Sequence, residues 1–433
     1  MHKLLQNWSQ NVSFSPKQIL VPKTEAEIAA IVKTAREQQK NVRVGGSRHS
    51  FTRLLPTDDI FIDLSHFDKI LDLDLTQGWA RVQAGIRIKK LGDELLKKGA
   101  AIQNQGDIDV QTISGAINTG THGTGLDFGN LATFVLEFTI VNGKGEVLIC
   151  SPTQNANLFH YGRIALGTMG IVTEYKIRII PAYKLRLDIA PCPMEDALQN
   201  FDQNNNKNRN YEFYYMIHSQ IAMQKTSNIS TAPPKENHIG NWLNDVILEN
   251  SVFWTISRLC QTFPSLNLPL SRWIASMVSK HTKNNWAHKV YSTVRWVKFR
   301  EIEYNIPYEH FEPCIRAIIA RIEEKKYPTN FPIECRAVAA DDIPLSPAFG
   351  RKSAYIAVHT FYKAHCPSYF ADIERIFQQY EGRPHWGKEN TCDKTYFQKM
   401  YPEFDNFNHQ RQEADPDGIF LNEYLRKIFV NDK

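Results

Sequence analysis

The chain has 433 residues, which is more than one ordinary domain holds and suggests two or three domains. Hydrophobic residues make up 42% and charged residues 22%, with 22 glycines and 21 prolines, so the composition excludes collagen-like and largely disordered chains. The net charge of +5, from 51 basic and 46 acidic residues, is small for this size and gives no general reason to expect nucleic acid as a partner.

The cysteines and the lack of long apolar segments indicate in which cellular compartment the protein is expected. The 7 cysteines are odd in number and widely spaced, without a Cys-x-x-Cys pair, which argues against a disulfide framework or a zinc site. The N-terminus lacks the apolar core of a secretory signal, and no run reaches about 18 apolar residues. We therefore predict a cytoplasmic protein without a bound metal, with peripheral contact to a membrane left open.

The first 180 residues alternate short strands with helices. Strands are predicted at 18–21, 42–44, 60–64, 69–73, 79–84 and 171–180. Thr24 and Glu27 form the capping box of a helix, and a second helix ends at Gly99. Segments 134–141 and 147–150 form a hairpin. This pattern predicts an α+β fold with many short strands.

The composition changes after Pro181, and we place a domain boundary near residue 182. The Asn-rich segment 200–210 and the polar segment 226–240 are predicted to be exposed loops. Residues 242–280 are predicted to be helical and are unusually apolar. The remaining periodic segments predict strands at 211–217, 296–304, 334–340 and 355–362, and helices at 313–326 and 368–380.

Two glycine-rich segments among the predicted strands of the first 180 residues have the composition of ligand-binding loops. The first, 44–51, reads VGGSRHSF, and its small residues let backbone N–H groups approach an anion. It lacks the Walker and Rossmann patterns, so alone it also fits an ordinary turn. The second, 113–125, reads ISGAINTGTHGTG and suits donors around a diphosphate or a heteroaromatic ring, with a structural loop as the alternative.

Together, these segments point to a known family. VRVGGSRHSF, TISGAINTGTHGTG and GTMGIVTEYKIRIIP resemble the FAD-binding domain of the vanillyl-alcohol oxidase group of flavoproteins. NWSQNVSFSP, KFREIEYNIP, HWGK and DPDGIFLNEYL occur in the order seen in one family of that group, the FAD-linked sugar-1,4-lactone and alditol oxidases. The resemblance spans essentially the whole chain. It implies a two-domain α+β flavoprotein, with an FAD-binding domain at 1–181, a substrate domain with an antiparallel sheet at 182–384, and a C-terminal segment, 385–433, that returns to the flavin.

The resemblance also implies which residues bind FAD. His49 lies where relatives attach the flavin covalently through its 8-methyl carbon, and a hydrogen bond to the diphosphate or to backbone is the alternative. Thr112 falls where relatives place a small hydroxyl residue near both flavin and substrate. The other expected contacts to FAD are Gly45, Gly46, Ser47, Arg48, Ser50, Ser114, Gly115, Gly120, Thr121, His122, Gly123 and Ile171.

Oxidation of an alcohol carbon requires hydride transfer to flavin N5 and loss of a hydroxyl proton, so fixed cations are expected near these atoms. Glu334 and Arg336 lie two apart on a predicted strand and can reach one cavity, although an isolated pair of this kind is usually a surface ion pair. The resemblance implies catalytic roles for both, and for Lys388 of HWGK at the substrate hydroxyl or the N1 edge of the flavin. His359 matches a substrate-binding histidine, with a core histidine as the alternative.

The implied function is FAD-dependent oxidation of a hydroxyl group on a sugar-1,4-lactone, of the D-arabinono- or L-gulono-1,4-lactone type, or on an alditol. Oxygen would accept the electrons and give hydrogen peroxide. One alternative is a dehydrogenase that passes electrons to a cytochrome or quinone. Another is a non-catalytic flavin-binding or membrane-surface protein, against which Glu334, Arg336 and Lys388 argue.

The aromatic stretch 242–280 and the lysines and arginines after it admit two interpretations. They fit an amphipathic surface that lies at a membrane interface. They also fit core helices of the substrate domain followed by a strand, which the resemblance favours. Nucleic acid is disfavoured because no binding motif occurs, and the pattern predicts no oligomeric state.

Overall fold

The computed structural model describes residues 3–234, 249–293, 295, 297–364 and 366–430. Up to residue 181 its strands are β1 (Leu5–Gln6), β2 (Ser13–Phe14), β3 (Gln18–Leu20), β4 (Val42–Gly45), β5 (Ile60–Asp63), β6 (Ile70–Asp74), β7 (Trp79–Gln83), β8 (Ala100–Ala101), β9 (Val135–Asn142), β10 (Val147–Cys150), β11 (Gly170–Arg178) and β12 (Ile180–Pro181). The helices of this part are α1 (Glu25–Glu37), α2 (Ile88–Lys97), α3 (Ile113–Asn118) and α4 (Ala156–Gly162).

The capping predicted for α1 is confirmed. The Thr24 hydroxyl accepts a hydrogen bond from the Glu27 N–H at 3.2 Å. The Glu27 carboxylate reaches back to the N–H of Lys23 at 2.7 Å, one residue earlier than in the usual box. The helix therefore begins where the sequence predicts it, and its buried side chains are Ile28, Val32 and Ala35.

The first part of the chain has two larger sheets and two small two-stranded ones, β1-β2 and β8-β12. β3, β5 and β4 pair in parallel, and β10, β9, β11, β7 and β6 form an antiparallel sheet in that order. Because β4 and β5 are parallel, their carboxyl ends lie at the same edge of the sheet. The first glycine-rich segment starts at this edge.

Beyond residue 181 the chain forms one large sheet with helices packed on it. Its strands are β13 (Lys184–Pro193), β14 (Asn210–Tyr215), β15 (Ile221–Ser230), β16 (His281–Trp286), β17 (Phe299–Pro307), β18 (Ile333–Val338), β19 (Ser353–Phe361) and β20 (Arg383–Pro384). The helices are α5 (Met194–Gln199), α6 (Phe201–Lys207), α7 (Glu249–Thr262), α8 (Asn267–Met277), α9 (Ala287–Tyr291), α10 (Phe311–Lys325), α11 (Pro367–Gln379), α12 (Lys394–Met400), α13 (Phe404–Ala414) and α14 (Glu423–Phe429).

The eight strands of this sheet are ordered β16-β13-β15-β14-β18-β19-β17-β20, with antiparallel pairing throughout. Its two faces differ because successive side chains of a strand point to opposite sides. One face packs with α10 and α11 in an apolar core that includes Ile302, Tyr304, Cys335, Ile356 and Val358. Strand alternation places on the other face Glu212, Tyr214, Glu301, Glu303, Glu334, Arg336 and His359.

The residues after Pro384 pack back onto the first part of the chain. Trp386, Phe397, Phe407 and Leu425 belong to the same hydrophobic core as Ile28 of α1. Backbone groups join the same regions, since the Gly143 N–H donates to the carbonyl oxygen of Ala414 at 2.8 Å. The α+β fold predicted from the sequence is thus confirmed, and every helix within the described ranges is too short or too polar to cross a bilayer.

Two predicted loops were wrong. Segment 200–210 contains helix α6, because Phe201 stacks on Phe311 with ring centroids 4.0 Å apart and Asn205 bonds the backbone oxygen of Phe201. Residues 226–230 belong to strand β15, which pairs with β13. β13 and β16 were not predicted. The predictions for 235–248, Trp296 and the side chain of Phe253 fall outside the described residues.

Candidate active site

A cavity of about 270 Å³ opens where β4 ends, between the two glycine-rich segments. β4 delivers the first segment to its rim, and the turn before α3 delivers the second. The predicted cofactor-binding residues that line this cavity are Gly45, Gly46, Ser47, Arg48, His49, Ser50, Thr112, Ser114 and Gly115.

The two segments approach each other so closely that glycine is required. A Cβ atom on Gly46 would lie 2.0 Å from Thr112 Oγ1, and one on Gly45 would lie 2.3 Å from the Phe61 ring. Arg48 adopts a left-handed conformation with a φ of 56°, which turns the chain around the rim. The glycines therefore serve close packing between loops that wrap a ligand.

Unpaired polar groups around this cavity fit the diphosphate and ring of FAD. Within the described part of the chain, the backbone N–H groups of residues 47–50 donate to no other residue, and Gln111 Oε1 has no partner. The Ser47 hydroxyl donates to the carbonyl oxygen of Val110, which fixes the first segment against the second. Free amide donors on a curved backbone are the usual means of binding an anion.

His49 is a neutral imidazole on the rim of this cavity. Its ring stacks on Trp8 with centroids 5.4 Å apart and planes 23° from parallel. Burial, together with the positive charges of Lys388 and Arg87, lowers the pKa of His49 to about 4. At neutral pH the ring therefore keeps an unprotonated nitrogen that can act as a nucleophile or an acceptor.

The remaining predicted cofactor residues do not line this cavity. Gly120, Thr121 and Gly123 lie in the turn after α3, and Ile171 is buried in the core between Gly170 and Val172, which do line it. Their expected contact with FAD stays a prediction.

His122 connects the second segment to the large sheet. Its Nε2 lies 3.2 Å from Glu303 Oε1, and its Nδ1 lies 2.8 Å from the carbonyl oxygen of Gly123. The ring stacks on Tyr355, with centroids 3.6 Å apart. The second segment therefore runs from the cavity to the polar face of the sheet.

Glu334 and Arg336 lie on that polar face and are both buried. Arg336 donates to Glu212 Oε2 and to Asp107 Oδ1, each at 2.7 Å, and contacts Glu334. Tyr214 donates to Glu334 Oε1 at 2.7 Å. Both contacts to Glu334 end on Oε1, so within the described residues Oε2 remains available to a ligand.

The pKa values of two carboxylates in this group, Asp107 and Glu334, are shifted in opposite directions. Burial would raise the pKa of Asp107, but Arg336 and Lys225 hold it at about 2. Burial, with Asp107 and Glu212 nearby, raises the pKa of Glu334 although Arg336 opposes the shift. Glu334 is therefore the more basic of these two carboxylates.

Lys388 stands beside a second pair of buried carboxylates. Its Nζ donates to Glu301 Oε2 at 2.5 Å and lies 3.8 Å from Glu303 Oε2. Burial would lower the pKa of Lys388, but the two carboxylates raise it, so the ammonium stays charged. Conversely, Lys388 and His359 hold the pKa of Glu301 at about 2 in spite of its burial.

His359, on the neighbouring strand β19, lies beside Glu301 of this second carboxylate pair. Its Nε2 lies 3.5 Å from Glu301 Oε1, and its Nδ1 lies 3.1 Å from the carbonyl oxygen of Pro332. The loop that carries Lys388 is tied to the first glycine-rich segment, because the Phe51 N–H donates to the carbonyl oxygen of Gly387 at 2.7 Å. The structure thus brings His359, Lys388 and the cofactor loops into one region.

Comparisons with known proteins agree with this geometry. Residues 16–151 match the family described as FAD binding domain, and residues 175–428 match the family described as D-arabinono-1,4-lactone oxidase. The second match covers more than half of the chain.

The chain belongs to the D-arabinono-1,4-lactone oxidase family. Among its relatives, L-gulono-1,4-lactone dehydrogenase of Mycobacterium tuberculosis is 34% identical over 431 residues, which cover 99% of each chain. L-gulonolactone oxidase of Mus musculus is 31% identical over 98% of each chain. The fold matches cholesterol oxidase from B. sterolicum with a TM-score of 0.81 at 16% identity, over 99% of this chain and 97% of that one. The predicted family, enzyme class and FAD cofactor are confirmed.

Sequence reasoning missed several residues that this family member places at its site. Asp107, Glu212 and Tyr214 surround the Glu334–Arg336 pair, and Glu301 and Glu303 surround Lys388. Glu301 and Glu303 carried a signal, because KFREIEYNIP alternates charged and apolar residues along one strand. Asp107 and Glu212 carried none, since their partner Arg336 is more than a hundred residues away in the chain.

Two groups of side chains at this family site have the chemistry of metal ligands. His122, Glu303 and His385 converge, as do Asp107, Glu212 and Glu334, with ligand atoms within 4.8 Å in each group. Lys388 adjoins the first group and Arg336 the second, so protein cations already balance their carboxylates. We assign no metal to either, and the expected lack of a metal stays a prediction.

Proposed function

We propose that this protein oxidises a hydroxyl-bearing carbon of a sugar-1,4-lactone with FAD as cofactor, with D-arabinono-1,4-lactone and L-gulono-1,4-lactone as the first candidates. One observation carries the proposal: the charged face of the large sheet lies next to the loop that lines the cavity fitting FAD, because Lys388 and Gly387 both contact Phe51 at the end of that loop. Ala357 lies between Glu334 and Glu303 in the strand register, so the small side chain leaves room among the charged ones. Relatives named for lactone oxidation support the substrate class.

When bound, FAD supplies the acceptor for the hydride that leaves the substrate carbon. The chain must then stabilise the substrate oxygen as its proton leaves. The Lys388 ammonium is suited to this role, because Glu301 and Glu303 keep it charged and fix its position. A preorganised cation in a buried site stabilises developing negative charge far better than water does.

The hydroxyl proton needs an acceptor, and we assign that role to Glu334. The pKa of Glu334 is raised, whereas the pKa of Glu301 is about 2 and that of Glu303 lies well below its usual range. A stronger base accepts a proton more readily, and Glu334 Oε2 is the free oxygen. Arg336 holds the carboxylate in place and completes the catalytic set of Glu334, Arg336 and Lys388.

His359 and Thr112 are assigned to substrate binding. His359 lies on the polar face, next to Glu301, and can hydrogen-bond a substrate oxygen. Thr112 lines the cofactor cavity and caps α3 by accepting from the Gly115 N–H at 3.3 Å. The division into an FAD-binding domain (1–181), a substrate domain (182–384) and a C-terminal segment (385–433) belongs to the same proposal.

We further propose that His49 carries FAD covalently. An unprotonated ring nitrogen would form the C–N bond to the flavin 8-methyl carbon in place of a C–H bond, and the two protons and two electrons released in all would finally pass to oxygen, giving hydrogen peroxide. A denaturing gel viewed for yellow fluorescence tests this. Wild-type protein should retain fluorescence and His49→Gln should lose it, whereas loss from both would leave His49 with a hydrogen-bonding role.

Oxygen is the proposed electron acceptor, and a dehydrogenase is the second candidate because one relative is a named L-gulono-1,4-lactone dehydrogenase. Purified, FAD-loaded protein mixed with lactones and alditols distinguishes them. Hydrogen peroxide produced in step with substrate loss supports the oxidase. Turnover only with a quinone or cytochrome supports the dehydrogenase. Bound FAD that no lactone or alditol reduces would contradict the proposed function.

We also propose a cytoplasmic protein that contacts a membrane at its periphery. The substrate domain carries the relevant feature, a helix pair with exposed apolar side chains. This contact is independent of the oxidation chemistry, because none of these side chains lines the cofactor cavity.

A further inference from the structure

Helices α7 and α8, with the segment 263–266 that joins them, expose large apolar side chains on one side. We call this set the outer face: Trp254, Leu259, Phe263, Leu266, Trp273 and Met277. Each of these side chains is between 39% and 56% exposed. The interpretation of this stretch as core helices is therefore wrong for these residues, which surround no hydrophobic interior. Exposed apolar side chains clustered on one segment mark an interaction surface more often than single ones do.

The opposite side of the pair is buried and combines small polar residues with the apolar residues Ile256, Cys260 and Ala275. Ser257, Asn267 and Ser271 are at most 4% exposed. Asn330 donates to Ser257 Oγ at 3.1 Å, and Asn267 donates to the carbonyl oxygen of Tyr327 at 2.9 Å. The pair is thus attached in part by polar contacts, and it turns its tryptophans and its other largest apolar side chains outward. In a usual surface helix the largest apolar side chains face the core.

The charge of the two helices and of the chain that follows them is almost all positive. After Glu249, the first residue of α7, no acidic residue occurs up to Arg300, whereas lysines and arginines occur at 258, 272, 280, 283, 289, 295, 298 and 300. Arg258, Arg272 and Lys280 are exposed on or directly after the two helices. A chain whose overall charge is close to neutral therefore presents a basic border around its exposed tryptophans.

We propose that the outer face docks on an anionic phospholipid bilayer, with α7 and α8 lying in the interface. Trp254 and Trp273 would sit at the headgroup level, where tryptophan is favoured, and the basic border would contact lipid phosphates. This inference deepens the proposed peripheral membrane contact by naming the surface and the lipid charge.

A second copy of the chain fits the outer face less well than a lipid bilayer does. A symmetric dimer through the outer face would bring Arg258, Arg272 and Lys280 of one copy towards the same residues of the other. From Asn250 to Arg300 the sequence contains no acidic residue to pair with them, so the like charges would repel. An anionic bilayer instead supplies both an apolar phase and the opposite charge.

Vesicle co-sedimentation of the full chain tests the proposal. One set of vesicles contains phosphatidylcholine alone, and the other also contains phosphatidylglycerol. We expect roughly tenfold or stronger binding to the anionic vesicles, and weaker binding as salt rises. Equal binding to both sets, or none to either, would overturn the proposal.

Matched leucine variants locate the contact. Leu259→Ser with Leu266→Ser removes two side chains of the outer face, which are 40% and 39% exposed. Leu71→Ser with Leu75→Ser removes two that are 44% and 46% exposed at β6, far along the chain. We expect the first pair to weaken vesicle binding about tenfold and the second to leave it unchanged. Equal loss in both pairs would contradict the assigned surface.

Two further readouts keep the outcomes separate. Flavin absorbance and thermal melting check that each variant folds, so vesicle binding is judged independently of lactone oxidation. Light scattering without lipid measures the oligomeric state. A dimer that the Leu259→Ser and Leu266→Ser pair dissociates would assign the outer face to self-association and overturn the lipid proposal.

Discussion

The cofactor cavity and the charged face of the large sheet lie side by side, but they are built in different ways. Just under half of the cavity lining comes from two short segments, 45–50 and 111–119, and the rest comes from neighbouring strands and turns between residues 43 and 172. The charged face collects long ionic side chains from four strands and a loop that span residues 212 to 388. The first site lies wholly within residues 43–172, whereas the second joins both parts of the chain and exists only after the strands are paired.

This difference explains how each site can act. Backbone N–H groups cannot change charge, so the cavity suits permanent binding of an anionic cofactor. The ionic side chains of the sheet shift one another's pKa values in both directions, which leaves Glu334 more basic and Lys388 charged. Such divergence among neighbouring titratable groups is typical of a catalytic site.

The sharpest test of the comparison is Lys388→Met. It removes one cation of the charged face, and Lys388 does not line the cavity, so the rate of flavin reduction should fall by about 1000-fold while FAD stays bound. Stopped-flow absorbance with lactone measures the rate. Lys352→Met is the control, because that lysine is exposed and lies over Tyr308, away from the site. A rate within twofold of the wild type for Lys388→Met would remove its assignment.

Glu334→Gln tests the proton acceptor. The amide keeps the shape and can still hydrogen-bond, but it cannot take a proton, so flavin reduction should slow by about 100-fold. The acidic limb of the rate profile should also disappear, because protonation of Glu334 no longer limits activity. A profile that keeps its acidic limb would transfer the role to another group.

Glu301→Gln separates positioning from direct catalysis. Lys388 would lose the carboxylate that raises its pKa and fixes its Nζ, so we expect a loss of about tenfold and a basic limb shifted to lower pH. The shift is the decisive readout, since general damage to the fold would lower the rate without moving the limb. Glu312→Gln, on the surface of α10, is the matched control.

Gly46→Ala tests the close packing of the cavity. The new Cβ would lie 2.0 Å from Thr112 Oγ1, which should cost about 1–3 kcal/mol and weaken FAD binding. Gly115→Ala is the control, since its Cβ would lie 3.1 Å from the same oxygen and needs only a small shift. Thermal melting and flavin titration of both variants compare them. Equal effects would mean that the two loops do not depend on their contact at Gly46.

The smallest expected effect concerns stability at acid pH. Burial lowers the pKa of His385 to about 3, whereas the same histidine in the unfolded chain has a pKa near 6.5. Between these two pH values the unfolded chain binds a proton that the folded chain does not. The free energy of unfolding should therefore fall as pH drops from 6.5 towards 3, by roughly 1–2 kcal/mol at pH 5 from this residue. His385→Gln should reduce the difference between pH 7 and pH 5 in urea titrations, whereas His66→Gln, at an exposed position, should not.

Local pattern was enough for much of the fold and for the cofactor loops. The capping of α1 by Thr24 follows from an interaction between residues three positions apart, and the glycines at 45 and 46 stand in a continuous motif, although their contacts with Phe61 and Thr112 are tertiary. Segment 200–210 shows where this fails, because its many asparagines favour a loop while the stacking of Phe201 on Phe311 stabilises a helix. The contact that decides α6 joins residues over a hundred positions apart.

The amino-acid order alone established an FAD-binding family member and named Glu334, Arg336, His359 and Lys388, because their motifs are short and continuous. It could not place Asp107 or Glu212 around Arg336, since that depends on strand register and on a loop from the other part of the chain. Nor could it tell which side of α8 faces outward. Amphipathic periodicity fixes two sides of a helix, and packing against the rest of the molecule chooses between them.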